Sequence, residues 1–300
     1  MEGCMPCVYT FSILLNERIL LLNKCIKLLN MNIRKAQRKQ AKIKLALQGP
    51  SGSGKTYSSL LLAKGLIGDF SRVCIIDTEN GSADLYAHLG PYNTIAIQDP
   101  YTPEKYIQAL ELAETQNMEV IILDSISHSW QYLIDFHAGL AGNSFSNWAK
   151  VTPRHNALFA KILSTNAHII TTLRVKQDYV LNDKNGKLVP EKVGLKAVQR
   201  DGVDYEFTLV FDLNVNHLAH CSKDRTGLFI DQSEFIISET TGIQIKDWCN
   251  EGILSRIQSA TNIEQLGQIY RETKDPELLG HFIERKKIIS NLKINENGNH

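Results

Sequence analysis

The chain has 300 residues and a mass of 33.8 kDa, with 43% hydrophobic and 22% charged residues, the composition of an ordinary soluble globular protein. A chain of this length buries about three quarters of its unfolded surface, so one substantial core with a small appendage is expected rather than two equal domains. A formal charge of +1 and a pI near 7.6 exclude a global basic field, so any nucleic-acid contact has to come from local patches.

In chain order, residues 1–30 stand apart. Val8 to Leu29 is rich in Leu and Ile, but Asn16, Glu17, Arg18, Asn23 and Lys24 interrupt it short of the roughly 20 apolar residues that span a bilayer. It also lacks the basic start and small-residue cleavage site of a secretory leader. The segment reads as a doubtful N-terminal extension: a docking helix, a weak surface anchor, or a stretch upstream of a true start at Met31. A cytoplasmic location without a membrane partner is expected. Cys4 and Cys7 have C-x-x-C spacing but no second ligand pair follows, so the six cysteines read as reduced thiols rather than a zinc site.

Beyond Met31, short apolar runs alternate with helix-length amphipathic segments. This pattern predicts an α/β fold, a mostly parallel sheet flanked by helices. Strands are expected at Ile43–Gln48, Val73–Asp77, Thr94–Gln98, Val120–Asp124 and His168–Leu173, most of them apolar throughout as burial on both faces requires. Helices are expected at Lys55–Ile67, Pro103–Gln116, Ser129–Leu140 and His155–Asn166. Lys176 to Arg200 turns polar around Asn-Asp-Lys-Asn-Gly, which predicts a hairpin or mobile loop. Strands at Tyr205–Leu213 and Leu218–Ser222 follow, then one or two charged helices within Asn262–Asn291. The expected division is an extension (1–30), a core (31–250) and a small C-terminal helical tail (251–300).

Gly49-Pro50-Ser51-Gly52-Ser53-Gly54-Lys55-Thr56 matches G-x-x-x-x-G-K-[ST] in full, with a strand before it and an amphipathic helix after it, and Tyr57 is expected to bind the nucleotide beside the loop. Its backbone N–H groups and helix N-terminus favour phosphate, Lys55 is suited to bridge the β and γ phosphates, and Thr56 to ligate Mg²⁺. ATP with Mg²⁺ is the expected pairing. Asp124, closing the run Val120-Ile121-Ile122-Leu123, is expected to supply the carboxylate that holds the metal, the plain alternatives being a helix cap or turn. Asp77 and Glu79 end the second strand, where one acid can orient or deprotonate the attacking water; Glu79 is the candidate, and Asp77 reads more readily as a cap.

With these motifs in place the chain resembles the RecA-like P-loop ATPases, specifically the compact phage and prophage proteins associated with single-strand annealing, over about Lys42 to Gly227. The resemblance implies that Glu79 of Asp77-Thr78-Glu79 activates water and that Asp124-Ser125 closes the metal strand. It also implies that Thr172, within Thr171-Thr172-Leu173-Arg174, is the polar sensor, where RecA itself often has Gln. Ser222-Lys223-Asp224-Arg225-Thr226-Gly227 looks like a Lys-x-Arg finger reaching the nucleotide of the next subunit, so Lys223 and Arg225 become catalytic candidates and a ring or filament is implied; a solvated turn is the plain alternative.

Single-stranded DNA is the implied partner, held on two loops. The first is Gly139 to Pro153, with Phe145 and Trp148 to stack on bases and Lys150 and Arg154 to meet phosphate; the second is Lys176 to Arg200 with its lysines. A recombination or nuclease partner is a further expectation. The GTPase motif Asn-Lys-x-Asp and the transporter signature Leu-Ser-Gly-Gly are absent. Two alternatives remain: a small-molecule kinase, with residues 176–200 as lid, and a nucleotide-gated assembly module that hydrolyses slowly.

Overall fold

A computed structural model describes residues 41–184, 187–273 and 276–297. The doubtful extension, the Met31 start and Cys4 and Cys7 lie outside the described residues. The strands are β1 (Lys44–Gly49), β2 (Val73–Asp77), β3 (Asn93–Ala96), β4 (Val120–Asp124), β5 (His168–Lys184), β6 (Lys187–Ala197), β7 (Leu209–Leu213), β8 (Leu218–Asp224) and β9 (Phe235–Ile236). They run in the order β3-β2-β4-β5-β1-β7-β8-β9, with β6 paired to β5 off this path. Strands β3, β2, β4, β5, β1 and β7 are mutually parallel, and β8 and β9 close one edge antiparallel.

The helices are α1 (Lys55–Ile67), α2 (Pro103–Thr115), α3 (Ser127–Ala138), α4 (Ser144–Ser164), α5 (Glu239–Ser259), α6 (Ile263–Thr273) and α7 (Leu279–Asn297). Strand alternation divides the core into two layers. Leu45, Leu47, Val73, Ile75, Val120, Ile122 and Ile170 pack with α1 and α5. Ala46, Cys74, Ile76, Ile121, Leu123 and Ile169 pack with α2 and α4 on the opposite face. Continuing the first series toward the carboxyl ends reaches Asp77, Asp124, Thr172 and Arg174, so the polar residues of the sheet's end share the α1 face.

Three elements depart from expectation. Helix α4 begins at Ser144 rather than His155 and runs through Pro153. Its buried residues Asn147, Val151, His155, Leu158, Phe159 and Ile162 recur at helical spacing, and burial of that face offsets a cost of about 3 kcal/mol for an interior proline. Most of the expected first DNA loop is therefore helix. The segment expected at Tyr205–Leu213 becomes strand only from Leu209, because Val203–Glu206 forms a 3₁₀ turn. Helix α5 was not anticipated: it contributes Ile245 and Cys249 to the main core and Ile253 and Ile257 to a second cluster with α6 and α7, so the expected boundary at 250 falls inside one helix.

Helix α1 is held against α5 at a contact that leaves no room for side chains. A Cβ on Gly65 would lie 2.1 Å from the Glu239 carbonyl oxygen, and one on Gly242 would lie 2.4 Å from that of Leu62. Both obstacles are backbone. Gly242→Ala is expected to destabilise the fold by about 2 kcal/mol or more, read as a lower urea midpoint with an unchanged m value.

At the other end of the sheet, buried His168 accepts from the Ile43 N–H through Nδ1 at 3.2 Å. Burial, with Lys42, Lys44 and Lys246 nearby, holds its pKa well below the ordinary histidine value. Below about pH 6.5 the unfolded chain takes up this proton while the folded one does not, so stability falls as pH falls. Denaturation between pH 7.5 and 5.5 should show that slope, and His168→Asn should reduce it by about one proton.

Candidate nucleotide site

The loop from Gly49 turns into α1 through Gly54, whose φ of 85° lies in the left-handed region open to glycine. Ser58 N–H is bonded to the Gly54 carbonyl at 2.8 Å, so α1 begins at Lys55 and the preceding N–H groups of its first turn face outward. Ser53 Oγ is fully buried and has no hydrogen-bond partner among the described residues, an orphaned donor inside the loop. Lys55 Nζ donates to the Gly49 and Pro50 carbonyls at 2.9 and 2.8 Å, which draws it over the loop. Burial lowers its pKa, and the carboxylates of Asp124 and Glu79 act in the opposite direction.

Asp124 is the best-held group. Its Oδ2 accepts from Thr56 Oγ1 at 2.6 Å and its Oδ1 from Thr172 Oγ1 at 2.5 Å. Strand β5 lies between β1 and β4, so Thr172 stands between the strand that leads into the P-loop and the strand that ends in Asp124. Burial raises the Asp124 pKa, and the two hydroxyl donors pull it down. Behind it, Thr78 ties β2 to β4: its N–H donates to the Asp124 carbonyl at 2.8 Å, and its Oγ1 accepts from Ser125 N–H at 2.9 Å. Tyr106 donates to the Ser125 carbonyl at 2.8 Å from α2.

Glu79 follows one turn later. Asp77 Oδ1 accepts the Glu79 N–H at 2.6 Å, so Asp77 fixes the turn and Glu79 projects to the cleft. Its Oε1 accepts from Arg174 Nε at 3.0 Å and Nη2 at 2.9 Å. A cleft of about 420 Å³ is lined by Ser51, Gly52, Gly54, Lys55, Thr56, Glu79, Tyr86, Asp124, Arg174 and Val175. The P-loop, the acids Asp124 and Glu79, and Thr56, the threonine expected as a metal ligand, therefore converge.

Two residues of the cleft were not singled out from the sequence. Arg174 is two residues beyond Thr172 on the same strand, and alternation alone would have indicated it. Tyr86 sits in the 3₁₀ segment Ser82–Leu89, with its ring 5.8 Å from that of Tyr57; no periodicity in the sequence marks it. Thr172, expected as the sensor, is fully buried behind Asp124. Mg²⁺ fits the donor set, since the Thr56 hydroxyl and Asp124 carboxylate are adjacent hard oxygen ligands beside a phosphate-binding loop.

The described part of the chain from 41 to 247 matches the AAA domain family. The chain belongs to that family. No curated protein matches it. Membership brings ATP binding and NTPase chemistry to this AAA domain. Among the described residues, no helix is long and apolar enough to cross a membrane.

The other expected residues of the AAA domain lie elsewhere. Lys223 pairs with Val210, which pairs with Ala46, three residues before Gly49, or roughly 10 Å along the strand. Lys223 Nζ donates to the Asp204 carbonyl at 2.5 Å, and Arg225 Nη2 to that of Tyr205 at 2.9 Å. Trp148 stacks against His137 at 4.2 Å and Trp130 at 6.0 Å, so its ring is packed between α3 and α4 rather than free for a base. Arg154 is likewise engaged, by a bidentate pair with Glu104 at 2.7 Å in each bond. Lys150 and Phe145 are exposed on α4. The polar stretch 176–200 is a hairpin, β5 with β6, and Lys176 and Arg200 sit at its root; Arg200 Nη1 donates to Asn156 Oδ1 at 3.2 Å. The side chains of Lys184, Lys187 and Lys192 lie outside the described residues.

Thr172→Val leaves Asp124 Oδ1 without its donor. Mg²⁺ affinity in the presence of nucleotide is expected to fall about 10-fold or more, as measured by Mg²⁺ titration at fixed nucleotide.

Proposed function

We propose that the chain is a RecA-like ATPase that acts on single-stranded DNA as an oligomer, in recombination or annealing of the phage type. One observation carries this reading. Lys55, Thr56, Asp124 and Glu79 share a single cleft, while Lys223 and Arg225 lie on β8 and the segment after it, turned toward Asp204 and Tyr205. Their distance from the cleft of their own chain leaves them available to the nucleotide of a neighbour.

In this reading the P-loop N–H groups and Lys55 grip the triphosphate, and Thr56 and Asp124 hold Mg²⁺. Held there, Mg²⁺ would supply positive charge to the phosphate oxygens. Glu79 accepts a proton from water as its oxygen bonds to the γ phosphorus. The bond from that phosphorus to the bridging oxygen breaks, and ADP and inorganic phosphate leave. Tyr86 and Tyr57 offer aromatic faces to the base at the rim.

DNA enters through the β5–β6 hairpin. That arm continues directly from the strand bearing Arg174, so a strand held on the arm and a nucleotide in the cleft are coupled through one β-strand. The nucleotide-gated assembly module is a second reading with an observation of its own: Glu79 is bonded to Arg174, which favours slow basal turnover and action through a recruited recombination or nuclease partner.

Single-stranded DNA at low salt should raise ATP turnover several-fold, with an affinity that weakens steeply as salt increases; no stimulation by any DNA would count against the reading. Glu79→Gln should keep ATP binding and lose turnover by about 10² to 10⁴. Subunit mixing tests the neighbour's role. Lys55→Ala and Arg225→Ala should each be inactive alone, and a mixture should regain activity at about a quarter of the interfaces. A mixture as inactive as its components would remove the trans finger.

A further inference from the structure

We propose that Arg174 reads the terminal phosphate of the nucleotide bound in its own subunit, by exchanging Glu79 for that phosphate. This rests on the ATPase reading and adds a residue that reading lacks. The strand register sets Arg174 directly beside Gly49, the first residue of the P-loop. Its backbone is fixed there, because its N–H donates to Ser127 Oγ at 3.0 Å. Only the side chain has freedom, and it lies in the cleft with Lys55, Thr56, Glu79 and Asp124.

The partner it holds is a weak one. Both of its bonds go to one oxygen, Glu79 Oε1, so the guanidinium does not span the carboxylate. The two side chains are 49% and 29% exposed, a setting in which ion pairs contribute little. A phosphate offers more charge and several acceptor oxygens to the same planar donor. The cleft holds two cations, Lys55 and Arg174, against two carboxylates, Glu79 and Asp124. An incoming γ phosphate therefore competes with Glu79 for Arg174.

The exchange does two things at once. It places a cation on the phosphate that will depart, and it frees Glu79 Oε1 to take the proton of water. When that phosphate leaves, Arg174 returns to Glu79. Thr172 does not serve in this role, since its hydroxyl is committed to Asp124 inside the fold.

The experiment compares wild type, Arg174→Ala, Arg174→Lys and Glu79→Gln as full chains. Calorimetry with Mg²⁺ measures affinity for ADP and for a slowly hydrolysed ATP analogue, and turnover is measured alongside. Arg174→Ala should weaken the analogue about tenfold while ADP stays within about twofold, and should lower turnover at saturating ATP. Arg174→Lys should recover part of the analogue affinity, and Glu79→Gln should raise it about two- to fivefold by releasing the guanidinium. An unchanged analogue-to-ADP ratio in Arg174→Ala overturns the inference, and so does a rise in its turnover, which would make Arg174 a mere restraint on Glu79. Wild type that binds neither nucleotide sinks the ATPase reading and the inference together. Wild type that binds both while Arg174→Ala keeps the ratio sinks the inference alone.

Discussion

The carboxylate of Asp124 is where the molecule is tied together. Its two oxygens are held by Thr56, on the first turn of α1, and by Thr172, on β5. Three elements distant in sequence are thereby fixed to one another within hydrogen-bond length. A buried carboxylate costs free energy unless donors surround it, and here both donors are side chains whose positions the sheet dictates. The phosphate loop, the metal-binding acid and the strand that leads into the hairpin cannot shift independently while those two bonds stand.

The sheet also separates two kinds of chemistry. Alternation sends Asp77, Asp124, Thr172 and Arg174 to the α1 face at the carboxyl ends of their strands, where an open parallel sheet binds its ligands. The β8 segment turns Lys223 and Arg225 toward the Val203–Glu206 turn, away from that cleft. In the proposed reading, a chain arranged so carries half of a shared site at each of two places. In the proposed oligomer the geometry of the interface, rather than anything within one chain, sets when the halves meet. In the same reading the hairpin adds a second line of control, because β5 contributes Arg174 and Val175 to the cleft and then leaves the main sheet to pair with β6.

Much of this was legible in the sequence, for reasons that differ by element. The P-loop, Asp124 and Glu79 were found because their spacing is set by local backbone geometry and by the length of single strands. β1, β2, β4 and the start of β5 were read from apolar runs that both-face burial requires, whereas β3 is a mostly exposed edge strand. What escaped was decided by tertiary contact. Gly139 to Pro153 was expected as a loop, yet the buried face from Asn147 to Ile162 carries α4 through Pro153. Trp148 and Arg154 looked like nucleic-acid contacts because exposed aromatic and basic residues do. His137, Trp130 and Glu104, which engage them, come from elsewhere in the sequence. Helix α5 escaped because one half serves each of two clusters, so no single apolar stripe runs its length. Thr172 was expected as the polar sensor, but its hydroxyl is bonded to Asp124 inside the fold, and the cleft is lined two residues further on by Arg174.

Each working group in the cleft has a partner inside the protein: Lys55 the loop carbonyls, Asp124 two hydroxyls, Glu79 Arg174. These partners differ in how readily they yield. The hydroxyls on Asp124 are buried and remain useful with a metal bound, since they orient the carboxylate toward it. The carbonyls under Lys55 are neutral acceptors and lose easily to a phosphate. The Arg174–Glu79 pair is exposed, and both members gain something better when a triphosphate and its water arrive. The order of exchange then follows from strength of holding: the lysine yields to any phosphate, the arginine only to one that reaches the lip beside Gly49. Discrimination between di- and triphosphate thus comes from where Arg174 stands on β5, and the metal carboxylate stays fixed throughout.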